Sequence, residues 1–145
     1  MNQHAQTVFI GLSMGGVASL VKQRQYKVAG VLSVDAFPTG NVTDEILENE
    51  LKKERKNDCL ISIISSSDDE DKKRQLMICD RLRESGYCVI YERSKQKFHL
   101  GYIPSRLSIL IFVKLALSRR KLLLDDSHSA DKHITNALQE SELWE

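Results

Sequence analysis

Apolar residues along this chain gather into four short runs, each followed by a polar turn and then a stretch of helical period. Thr7–Gly11 predicts a buried strand, and Met14–Lys22 predicts a helix with Val17, Leu20 and Val21 on one face. Val28–Val34 is the second run, closed by Asp35-Ala36-Phe37-Pro38. Thr43 then stands where it can cap a helix over Asp44–Lys53, with Glu45 and Glu48 early and Lys52 and Lys53 late, as the helix dipole favours. Cys59–Ile64 predicts a third strand, ending in Ser65-Ser66-Ser67-Asp68-Asp69, and a helix over Asp71–Ser85 follows with Gly86 as its stop. Tyr87–Tyr91 is the fourth run, and after the polar loop Arg93–Gly101 a long apolar helix is expected from about Ser105 to Arg120. Apolar runs without strict alternation suit strands covered on both faces, and their alternation with helices implies a parallel sheet with right-handed crossovers. The fold class is α/β. Leu122–Glu145 is polar, with Ile134, Leu138, Leu143 and Trp144 as scattered apolar anchors, so residues 1–121 are expected to form the domain and 122–145 a tail or weak terminal helix.

Composition narrows this picture mainly by exclusion. A chain of 145 residues is long enough for one ordinary domain. Its net charge of +1 gives no electrostatic case for nucleic acid, an acidic substrate or a membrane surface. Cys59, Cys79 and Cys88 lie in apolar segments without metal-type spacing, as expected of buried thiols in a reducing compartment. The polar N-terminus lacks the apolar core of a signal peptide, and the most apolar stretch, Leu107–Leu117, is interrupted by Ser108 and Lys114 and too short to span a bilayer. A cytoplasmic protein is expected, with no membrane span and no nucleic-acid partner.

The chemistry enters at Gly11-Leu12-Ser13-Met14-Gly15, a G-x-S-x-G pentapeptide between the first strand and the first helix. That is the layout of a nucleophile elbow, in which a sharp turn holds the serine and small residues are expected two positions before and after it. Gly11 and Gly15 occupy those positions, and Gly16 lets the helix approach the sheet. A serine hydroxyl is a weak nucleophile at neutral pH and needs a base, usually a histidine that a carboxylate orients. In a parallel sheet such groups come from loops at the carboxyl ends of the strands. Ser13 follows the first strand, Asp68 and Asp69 the third, and His99 the fourth. The order Ser…Asp…His is that of the α/β-hydrolase arrangement. Asp68, Asp69, Glu70 and Asp71 would also suit a solvated run opening a helix, and the triad role for Asp69 is favoured over that reading. His4, His128 and His133 fall in terminal segments and lack ligand spacing.

Residues 11–16 resemble the elbow of α/β-hydrolase serine hydrolases, and the compact spacing is most similar to the acyl-protein thioesterase, lysophospholipase and small carboxylesterase group. The resemblance covers roughly residues 6–118. The family's third-strand loop often reads His-Gly-x-x-Asp; Ser65-Ser66-Ser67-Asp68-Asp69 stands in its place, which puts the acid on Asp69, with Asp68 and then Asp35 as alternatives. The resemblance implies Ser13 as nucleophile, His99 as base and the Met14 N–H as an oxyanion donor, with no cofactor and no metal. The family normally places several strands before the elbow, whereas six residues precede Thr7 here. The match is thus to the family's C-terminal half: a truncated parallel sheet of about four strands, without the loop that carries a second oxyanion donor. Losing one such donor costs on the order of 10²–10³ in rate, and Thr7–Gly11 becomes an exposed apolar edge.

Two functional classes follow. One is a serine hydrolase acting on carboxylic esters or thioesters, including lipid-type acyl substrates, through an acyl-enzyme on Ser13. The other is a non-catalytic truncated form or pseudoenzyme that meets a second copy or a partner chain along the Thr7–Gly11 edge. Gly11–Gly16 is neither G-x-G-x-x-G nor a P-loop, so nucleotide binding has little support.

Overall fold

A computed structural model describes residues 7–39, 41–55, 58–66, 68–94 and 105–125, with side chains through Lys121. The elements run β1 (Val8–Leu12), α1 (Met14–Lys22), a 3-10 turn (Gln23–Gln25), β2 (Gly30–Val34), α2 (Asp44–Leu51), β3 (Leu60–Ser65), α3 (Asp69–Glu84), β4 (Cys88–Arg93) and α4 (Arg106–Asp125). The four strands form one all-parallel sheet in the order β1-β2-β3-β4. This is a small α/β fold. Right-handed crossovers between successive neighbours put α1, α2 and α3 on one face. Their apolar sides enclose Val31, Ile61 and Ile63 with Leu20, Leu47, Ile78 and Leu82. On the other face, Phe112, Leu115 and Ala116 of α4 cover Leu32, Val34, Leu60 and Ile64. The central strands β2 and β3 are buried throughout, which is why they read as unbroken apolar runs rather than alternating ones.

The helix ends follow local chemistry. The Thr43 hydroxyl accepts from the Ile46 N–H at 3.2 Å and opens α2. The Asp68 carboxylate accepts from the Asp71 N–H at 3.3 Å, so α3 begins at Asp69, two residues earlier than the apolar spacing suggested. Gly86, at φ 92°, closes it: its N–H donates to Arg83 O at 2.9 Å, and the Tyr87 N–H donates to Leu82 O at 3.1 Å. At the far end, α4 continues to Asp125, past the expected boundary at residue 122; residues 126–145 lie outside the described residues. Among the described residues no helix is long and apolar enough to cross a membrane.

The carboxyl rim of the sheet is stitched together beyond the strands themselves. Ser13 N–H donates to Val34 O at 2.9 Å, Asp35 N–H to Ile64 O at 2.8 Å, and Ser94 N–H to Ser65 O at 2.8 Å. These bonds bring Ser13, Asp35 and Ser94, the first residues after β1, β2 and β4, into one row along the rim.

Candidate active site

Ser13 joins β1 directly to α1 with φ 54° and ψ −116°, outside both the helical and the strand regions. A non-glycine residue keeps such a conformation only where its surroundings impose it. Here the Ser13 carbonyl accepts from Gly16 N–H at 3.0 Å, Val17 N–H at 3.3 Å and Phe37 N–H at 3.2 Å, while its own N–H is held by Val34. The elbow is also crowded. A Cβ on Gly11 would lie 2.1 Å from Gly15 O, and one on Gly16 would lie 2.7 Å from Ser33 Oγ and 3.2 Å from Ala36 Cα. Both glycines are therefore required. Gly15 corrects the expectation from the motif: a Cβ there would meet no heavy atom within 4 Å. Its carbonyl is what makes Gly11 obligatory, and its own lack of a side chain answers no crowding. Ser13 is half-buried at the mouth of this turn, and Met14 after it is exposed. As the first residue of α1, Met14 carries an N–H that the helix leaves without an acceptor.

The three candidate acids lie in different surroundings. Asp69, the first residue of α3, has a side chain 93% exposed, with Oδ1 3.6 Å from Arg93 Nη2. Its strand, β3, lies two places from β1, roughly 10 Å across the sheet. Asp68 is the N-cap of α3, the helix-opening use weighed from the sequence. Asp35 follows the strand adjacent to Ser13's own, is 2% exposed, and sits at φ 51°. Its Oδ1 accepts the Ser66 N–H at 3.0 Å. His99, the expected base, lies outside the described residues, as do His4, His128 and His133.

Asp71, which the sequence places in a charge run, lies with Ser66 of the third-strand loop and with Gln75, which no motif marks. All three are buried beside Asp35. Asp71 Oδ2 accepts from Ser66 N–H at 2.8 Å and from the Ser66 hydroxyl at 3.0 Å. Gln75 Nε2 donates to Asp71 Oδ1 at 3.1 Å and to Ala36 O at 2.9 Å. Burial holds the Asp71 carboxyl above the usual carboxylate range, and its hydrogen bond to the Asp35 carboxyl adds to this against the opposing Ser66 amide. A signal for them was present: Asp71, Gln75, Ile78 and Leu82 fall at helical spacing, so the two polar residues occupy the buried stripe of α3.

Comparison with known proteins gives no match, either to a family model or to a curated protein. The site therefore stands on its own geometry. Among the described residues, no group of three or more His, Cys, Asp or Glu is arranged to hold a metal ion. An open groove of about 540 Å³ runs along the flank of β1 and α1, lined by Thr7, Phe9, Ala18, Ser19, Lys22 and Tyr26; Ser13 is not part of its wall.

Proposed function

We propose that the chain carries a serine-hydrolase site acting on carboxylic esters or thioesters, with Ser13 as the nucleophile. The observation that carries this reading is the Ser13 backbone at φ 54°, held by four hydrogen bonds of its own N–H and carbonyl on a strand-to-helix turn. A turn merely connecting β1 to α1 has no need of a strained serine; a nucleophile presented at the head of a helix does. In the proposed reaction Ser13 Oγ adds to the acyl carbonyl as its proton passes to His99, and the developing oxyanion lies against the Met14 N–H. Collapse expels the alcohol or thiol, which takes the proton from His99, and water then cleaves the Ser13 ester by the reverse sequence. Asp69 is the proposed orienting carboxylate, with Asp68 and Asp35 as the alternatives. The test is pre-steady-state release of p-nitrophenol from p-nitrophenyl acetate. A burst stoichiometric with protein and absent from Ser13→Ala is expected; equal release by both proteins would contradict the reading.

A second reading, partner binding along β1, rests on a separate observation. In the described sheet β1 pairs on one side only, and Ile10 and Leu12 are 46% and 40% exposed. An uncharged apolar edge of this kind accepts another strand readily.

A further inference from the structure

We infer that Asp35 and Asp71 are positioning residues for the Ser13 elbow, holding through the Val34–Phe37 turn the peptide group that carries the nucleophile. The inference extends the serine-nucleophile reading, and the contacts behind it form an unbroken chain. At one end the elbow grips the turn: Ser13 N–H binds Val34 O at 2.9 Å, Phe37 N–H binds Ser13 O at 3.2 Å, and Gly16 lies against Ala36. At the other end α3 and the β3 exit grip the same turn. The Ser66 N–H lies between Asp35 Oδ1 at 3.0 Å and Asp71 Oδ2 at 2.8 Å, and Gln75 binds both Asp71 and Ala36 O. Asp35 itself lies at φ 51°, a left-handed region that few non-glycine residues enter and aspartate enters more readily than most. Four consecutive residues thus connect a carboxyl pair to the strained serine.

Two carboxyl oxygens on one buried amide repel each other unless the pair keeps a proton. The surroundings among the described residues favour that state. Arg74 Nη1 approaches Asp71 Oδ1 only to 4.0 Å, and its guanidinium is engaged by Asp44 of α2 at 2.9 Å. Asp68, Asp69 and Glu70 add three further carboxylates at the start of α3, and the adjoining turns of α1, Ser13–Ser19, bring no charged side chain. Protonated, the pair closes the clasp; with the proton lost, two buried negative charges push the β2 exit away from α3 and release the turn that holds Ser13.

The experiment is a pH titration of the whole chain followed by amide NMR, with fluorophosphonate labelling of Ser13 measured across the same pH range. The Ser66, Phe37 and Ser13 amides are expected to shift together, with one midpoint above the ordinary aspartate value of about 3.9. In Asp71→Asn the remaining Asp35 carboxyl has no second carboxyl to share a proton with, so the common midpoint is expected to fall to the ordinary aspartate value or below. Asp35→Asn gives the same fall and covers the case in which the first variant does not fold. A step confined to Ser66, or a midpoint that stays raised in both variants, would overturn the inference. If the amides titrate as expected and Ser13 never labels, the positioning chain stands and the nucleophile reading fails. If Ser13 labels and its amide does not titrate, the reverse holds.

Discussion

Three residues carry most of the argument at the smallest scale: Ser13, Gly11 and Gly15. The pentapeptide was legible because glycine and serine at those positions announce a tight turn before anything is known of the fold. The separate jobs of the two glycines were not legible, since they depend on which backbone atoms the third dimension brings near. Gly11 faces Gly15 O at 2.1 Å from where a Cβ would stand, so Gly11→Ala is expected to cost about 3 kcal/mol or more. Gly15 lies in α1 with open space around it, and Gly15→Ala is expected to stabilise by about 0.4–1 kcal/mol. Urea unfolding of the two variants checks the pair, and similar losses in both would show that the elbow is not built as described. The cysteines make a second point at this scale. Burial pushes the Cys59 and Cys79 thiols up to about 12, and Cys88 is half-buried. In native protein at pH 8 a disulfide reagent is expected to reach Cys88 first, with Cys59 and Cys79 reacting only on unfolding; early reaction of either buried thiol would contradict the packing.

Whole elements were more legible than their ends or their partners. All four strands and four helices follow the apolar runs, because each run had to be covered on a face of one sheet. The differences lie where a side chain caps, where a helix runs on, and where β4 extends through Arg93 into the expected loop. Asp68 starts α3 early by taking the Asp71 N–H, and α4 continues to Asp125. Thr43 was legible as a cap because it stands directly before an acidic first turn, and its hydroxyl accepts from Ile46. Thr43→Ala is expected to lower stability by about 1 kcal/mol, read from the same unfolding curves; no change would show that α2 is held by packing alone. Asp71 and Gln75 escaped notice because charged and amide residues near a helix start are usually solvated. Only the buried face of α3, packed against the β2 exit, gives them partners.

For the whole molecule, what matters is that the sheet collects residues from distant points of the chain onto one rim. It sets Asp35 and its partner Asp71 behind Ser13 and leaves Asp69 in solvent beside Arg93. The raised Asp71 sets a sign for stability against pH. A folded-state pKa above the unfolded one means that the contribution is full below about pH 3.9 and is lost as pH rises through the folded value. Asp71→Asn is expected to flatten that decline in thermal midpoint, and an unchanged slope would place the titration elsewhere. The open β1 edge has its own consequence. Concentration-dependent association in sedimentation is expected to weaken in Ile10→Lys, which sets a charge on the exposed strand; equal association by both proteins would clear that edge of the role. The central claim remains the activated serine. Its most direct test is the intact mass of the full chain after treatment with a fluorophosphonate, with the adduct located by peptide mapping. One adduct on Ser13, absent from Ser13→Ala, is the predicted result. A folded protein that stays unmodified, or carries its adduct on another residue, would contradict it.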